Sequence, residues 1–123
     1  VSLVCAFTVP GAPVPKARAR VPRKGGAYTP ERTKTAEERI GMYLKVAYPH
    51  MKPVAGPVSV ALTFSMNGAQ RGDWDNYSKL VCDALNGKAW VDDRQIIFAT
   101  VRVHANLSAV SGGPSTRIEV YEV

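Results

Sequence analysis

Val58-Ser59-Val60-Ala61-Leu62-Thr63-Phe64-Ser65-Met66 alternates large apolar side chains with small or polar ones. A period of two is the repeat of a strand with one face in a core, and the turn dipeptide Asn67-Gly68 ends it. The chain then changes period. Arg71 to Asp75 lie on a loop leaving the strand's carboxyl end. From Asp75 to Asn86 the spacing is helical, with Tyr77, Leu80, Val81, Ala84 and Leu85 as the apolar stripe. Asp73 or Asp75 is the N-cap and Asn86-Gly87 the stop. Gln95 to His104 follows, and its run of Ile96, Ile97, Thr100, Val101 and Val103 predicts a central strand.

Working outward, Leu3 to Val9 reads as a first strand, not a signal peptide, because no basic region or small-residue cleavage site accompanies it. Pro10-Gly11 closes that strand. Thr35-Ala36-Glu37-Glu38 has the form of a capping box, predicting a helix from there to about Tyr48 with Pro49 beyond its end. Ile40, Tyr43, Leu44 and Ala47 would pack on the sheet, and Glu37, Glu38, Arg39 and Lys45 would face water. Ser111-Gly112-Gly113-Pro114 is a turn, and Thr116 to Val123 is expected to pair antiparallel with its predecessor. These elements predict one small α/β (α+β) domain over residues 1–123, with a mixed sheet of about four strands and two main helices.

Sixteen Lys and Arg stand against ten Asp and Glu, for a net charge of +6. That balance favours a polyanionic partner, nucleic acid above an anionic membrane, and no apolar run reaches the ~18 to 20 residues of a membrane span. Lys16, Arg18, Arg20, Arg23 and Lys24 form a run with no acid among them, suited to phosphate contact. Tyr28 supplies a ring that either stacks on a base or anchors its loop. Cys5 and Cys82 lie among apolar neighbours and read as buried free thiols of a cytoplasmic protein. His50 and His104 take surface or strand-edge positions.

All five aspartates fall between residues 73 and 93. Carboxylates gathered on a basic protein suggest a metal site facing a polyanion. Mg²⁺ prefers oxygen ligands and keeps several waters, so two or three aspartates suffice when substrate phosphate completes the octahedron. Asp73 and Asp75 can converge from one loop, and Asp92 or Asp93 can bring a third oxygen from the next strand's start. Lys79, one turn beyond Asp75, is placed to stabilise a charged transition state. Taken singly, these residues read more readily as a helix cap, an exposed ladder of Asp75, Lys79 and Asp83, and a turn before a strand; jointly they point to the metal site. An EF-hand starting at Asp73 fails, since Ser78 and Ala84 stand where Gly and Glu are required. An aspartyl phosphatase needs a larger doubly wound domain.

Asp73-Trp74-Asp75-Asn76, Lys79, Asp83-Ala84-Leu85-Asn86-Gly87 and Trp90-Val91-Asp92-Asp93 with Gln95 together resemble the signature of the RusA family of Holliday junction resolvases, common in phages and prophages. Pro13-Val14-Pro15-Lys16 with Arg18 and Arg20, followed by Tyr28-Thr29-Pro30, is similar to the family's N-terminal segment. The resemblance implies a small α/β homodimer that cuts four-way DNA junctions symmetrically with Mg²⁺ or Mn²⁺ in a bacterial or phage-infected cell. By motif position it puts the three essential acids on Asp73, Asp75 and Asp93, with Asp92 the less certain neighbour, and the catalytic lysine on Lys79. Asp83 is expected to hold Lys79 in place.

The expectation is therefore a metal-dependent endonuclease acting on branched DNA. Asp73, Asp75 and Asp93 bind the ion, Lys79 supports the transition state, and Lys16, Arg18, Arg20, Arg23, Lys24 and Arg71 grip phosphates. The alternative is a junction-binding protein without cleavage, its acids structural. Trp74 either packs on the protein or stacks at the branch point.

Overall fold

The alternating stretch from Val58 to Ser65 forms the spine of the sheet. The computed structural model describes residues 1–17, 30–69, 72–105 and 113–123. Four strands, β1 (Ser2–Pro10), β2 (Val58–Ser65), β3 (Ile96–His104) and β4 (Ser115–Glu122), make one mixed sheet in the order β1-β4-β2-β3. Two helices, α1 (Glu31–Ala47) and α2 (Trp74–Leu85), complete a single α+β domain. Every second residue of β2, namely Val58, Val60, Leu62 and Phe64, is buried, as the period-two pattern requires.

β4 pairs antiparallel with both β1 and β2, and β2 pairs parallel with β3. This corrects two expectations. The last strand does not pair with β3 but enters between β1 and β2, so that β3 is an edge and not a central strand. Its β-branched run faces solvent over much of its length, with Ile97 62% and Phe98 61% exposed. The β2–β3 register skips Ile97, which is a bulge: Val58 faces Ile96 and Ser59 faces Phe98.

A parallel pair needs a crossover, and α2 supplies it. Its buried residues are Tyr77, Leu80, Val81, Ala84 and Leu85, the stripe read from sequence. Burial of each large one stabilises by about 1.5–3 kcal/mol. Tyr77 meets Phe64 of β2 with ring centroids 5.4 Å apart. In α1, Ile40 and Leu44 are buried as expected, while Ala47 is exposed. Tyr48, just past its end, staples α1 to β1: its hydroxyl accepts from the Ala6 amide at 3.0 Å and donates to the Ala6 carbonyl at 3.2 Å.

The start of α1 departs from expectation. It begins at Glu31, one turn before the Thr35–Glu38 pattern, with Pro30 as its N-cap residue. A proline's fixed φ is already near helical, so the chain enters the helix there, and Thr35 has helical backbone and cannot cap. Cys5 and Cys82 are free, as read from the sequence. Among the described residues no helix is long and apolar enough to cross a membrane.

Candidate active site

α2 begins where the loop after β2 turns back over the sheet, and Asp73 is its N-cap residue with extended backbone. The Asp73 carboxylate makes no capping hydrogen bond, although its backbone carbonyl accepts from Asn76 at 3.0 Å. A cap residue that leaves its side chain free is available for another use. Asp73, Asp75 and Lys79 are exposed, and among the described residues no ion pair engages any of the three. Trp74, between the two acids, is 59% exposed and does not pack into the core.

Two contacts fix the loop. The Gly72 amide donates to the Tyr77 hydroxyl at 3.0 Å, and the Lys16 amide donates to the Asn76 carbonyl at 2.9 Å. The N-terminal segment therefore lies against the first turn of α2. A Cβ on Gly72 would stand 2.8 Å from the Pro15 Cβ, closer than real carbons approach. Gly72→Ala is expected to destabilise by about 1–3 kcal/mol, the usual cost of overpacking. Urea unfolding measures this, and an unchanged midpoint would show that the Pro15 segment gives way freely.

The second acidic pair divides into two roles. Asp92 caps the single 3-10 turn Asp93–Gln95: its side chain accepts from the Arg94 amide at 2.9 Å, while the Gln95 side chain accepts from the Asp92 amide at 2.7 Å. The Arg94 amide, more than the Arg94 charge, holds the Asp92 carboxyl below its ordinary value. The Gln95 amide group also donates to the carbonyls of Val54 at 2.6 Å and Gly56 at 2.7 Å. Asp93 is held differently. Its Oδ1 accepts from the indole Nε1 of Trp90 at 2.7 Å, and Trp90 is wholly buried. A core residue thus aims the carboxylate. Trp90 and Gln95 stand in the signature run read from the sequence, but without the roles found here, and Gly72 was not singled out; a tryptophan three residues before an aspartate was the available signal.

Asp93 sits beside α2. Burial first, then the charges of Asp93 and Asp83, push the Cys82 thiol up to about 11, with Lys79 acting in the opposite sense. At 3.6 residues per turn, Asp75, Lys79 and Cys82 lie within roughly 60° of one another around the helix. One flank of α2 therefore carries an acid, a cation and then the position beside which Asp93 stands. Along the axis, Asp75 and Cys82 are about 10 Å apart at 1.5 Å per residue. Among the described residues no three His, Cys, Asp or Glu side chains stand close enough to hold one metal ion. Asp73 and Asp75 lie at the start of α2, one as its N-cap residue and the other in its first turn, whereas Asp93 stands by Cys82, nearer the far end of the helix.

Two expectations change here. Asp83 does not hold Lys79: its Oδ2 pairs with the Lys16 Nζ at 3.1 Å. Glu37 does not face water: its Oε1 meets the same Nζ at 2.6 Å. Lys16 is thus internally neutralised, tying α1 to α2. Burial lowers its pKa, but the hydrogen bonds and charges of Glu37 and Asp83 outweigh that and raise it overall. Arg18, Arg20, Arg23, Lys24, Tyr28 and Arg71 lie outside the described residues. His50 and His104 are exposed, His104 at the end of the edge strand.

The family model for endodeoxyribonuclease RusA matches residues 10–121, nearly the whole chain. The chain belongs to the RusA family. The match includes both acidic pairs, Lys79 and the elements that carry them, so the protein is an endodeoxyribonuclease of the RusA type, a family that resolves Holliday junctions. No curated protein matches the chain.

Proposed function

We propose that this RusA-family protein resolves four-way DNA junctions by metal-dependent phosphodiester hydrolysis, nicking two strands symmetrically. The observation that carries the reading is an exposed set, Asp73 at the N-cap of α2 with Asp75 and Lys79 on one flank of it, none in an ion pair among the described residues, within a chain matched by the family over residues 10–121. The donor chemistry fits Mg²⁺ or Mn²⁺: hard, exposed carboxylate oxygens, two of them at the start of α2. Mg²⁺ is commonly bound through one or two carboxylates plus substrate phosphates. Asp73 and Asp75 would hold the ion; Asp93, proposed as a third ligand, does not cluster with them in this structure. A bound divalent ion would supply charge neutralisation at the scissile phosphate.

The chain's own residues do the rest. Lys79, beside Asp75, presents an ammonium to the phosphate and stabilises the charge that develops on it. Trp90 holds the Asp93 carboxylate in place, and the turn pinned by Gln95 keeps Trp90 and Asp93 in register. Arg18, Arg20, Arg23, Lys24 and Arg71 are proposed to grip the junction arms.

Two strands must be cut, and a two-fold homodimer offers two identical sites. The β3 edge is the surface we assign to that contact. It carries no charge from Ile96 to Val101 and exposes Ile97 and Phe98, whereas edges left to solvent are ordinarily blunted by charge or proline. Phe98→Glu is expected to convert the dimer to monomer in light scattering. A variant that stays dimeric would move the interface elsewhere.

The test is a labelled four-way junction and a linear duplex of the same sequence, each incubated with Mg²⁺ or Mn²⁺. Paired nicks in the junction alone are expected. Binding without nicking would support the second reading, a junction-binding protein, which the separation of Asp93 from Asp73 and Asp75 favours.

A further inference from the structure

Lys79 has a potential partner one helical turn away that it does not use. Asp83 lies at i+4 from Lys79, the spacing at which opposite charges on a helix meet. Yet the Asp83 carboxylate is turned to Lys16, 3.1 Å away, and Lys16 also binds Glu37 at 2.6 Å. The side chains of Lys16, Glu37 and Asp83 are only 20%, 22% and 30% exposed, so this three-membered group is largely withdrawn from water, while Lys79 remains exposed. Ion pairs withdrawn from water are screened less than those in it, and removing one member leaves the others seeking a counter-charge. The backbone reinforces the arrangement, since the Lys16 amide donates to Asn76 and places its side chain over α2.

We infer that Lys16 is a positioning residue that captures Asp83 and so keeps the Lys79 ammonium free for phosphate. Without Lys16, two carboxylates, Asp83 and Glu37, are left uncompensated beside α2. The nearest cation on that helix is Lys79, which then turns along the helix to Asp83 and away from the DNA-facing flank. The N-terminal segment thereby controls an active-site group that it need not touch. Other cations of that segment are proposed to meet DNA; Lys16 acts inward. The consequence for cutting rests on the nuclease reading above, whereas the exchange of ion-pair partners does not.

The experiment compares wild type, Lys16→Met, Lys16→Arg, Asp83→Asn and the double variant Lys16→Met/Asp83→Asn. First, without DNA or metal, modification of Lys79 by an amine-reactive acetylating ester is followed by mass spectrometry, with exposed Lys45 as the internal standard. Lys16→Met is expected to slow Lys79 modification about threefold or more, and Asp83→Asn in the same chain to restore it, because no carboxylate remains at i+4. Lys16→Arg and Asp83→Asn alone should leave it at the wild-type rate. Second, junction cleavage should lose kcat in Lys16→Met with little change in KM and regain it in the double variant. Unchanged Lys79 modification in Lys16→Met, or a double variant no better than the single, would overturn the inference. So would faster modification in Asp83→Asn alone, a result that stands even if Lys16→Met does not fold. A wild-type protein that cuts nothing would sink the nuclease reading while leaving the modification results decisive for the ion pairs.

Discussion

Asp75→Asn is expected to reduce junction cleavage on the order of a thousandfold while leaving junction binding equal or tighter. Asn keeps the size and one oxygen but loses the charge that would hold a divalent ion. Loss of a group that acts only on the charged transition state typically costs ~10²–10³ in rate. Binding moves the other way because Asp75 is exposed on the flank proposed to face phosphate, and removing a like charge there lessens repulsion. Asp73 is the cap residue of α2, so the helix start should survive the change at Asp75. Gel-shift and cleavage assays on one junction read both quantities. Loss of binding together with cutting would make Asp75 a structural residue and remove the central support of the nuclease reading.

The second large effect is expected at Trp90. This side chain is wholly buried, and its indole nitrogen donates to Asp93 at 2.7 Å, so it serves core and site together. Trp90→Ala should cost about 3–5 kcal/mol through the cavity it opens. Trp90→Phe separates the two functions: most of the volume remains, but Asp93 Oδ1 loses its donor. A hydrogen bond to a charged group is worth about 1.5–3 kcal/mol, so the turn should loosen and cleavage fall roughly tenfold or more. Urea unfolding and cleavage kinetics on both variants check this. If Trp90→Phe cuts at the wild-type rate, Asp93 needs no orienting partner.

What could be read from the residues was what repeats locally. The alternation of β2 and the stripe of α2 are periodic signals that the buried positions reproduce residue for residue. Strand adjacency is another matter. Nothing in Thr116 to Val123 distinguishes pairing with β3 from insertion between β1 and β2, because that choice depends on partners fifty or more residues away. β3 looked central because its run of Ile, Thr and Val is β-branched, a composition that an exposed edge strand can share with an interior one. At the site, the spacing of Asp73, Asp75 and Lys79 marked the cap of α2, its first turn and the next. The capture of Asp83 by Lys16 bridges 67 positions of sequence and left no trace in spacing. Asp92 and Asp93 are adjacent and chemically identical, and only the backbone distinguishes them: one folds back as a cap, the other is held by an indole.

The bulge at Ile97 lies directly between the turn that carries Asp93 and the remainder of β3. It works as a parity correction. Had the ladder run on without it, Phe98 would have taken the side of the sheet that the helices cover, and every later side chain of the strand would have inverted with it. With one residue of slack at this point, the chain length between the acidic turn and the sheet can change by one without turning the strand inside out.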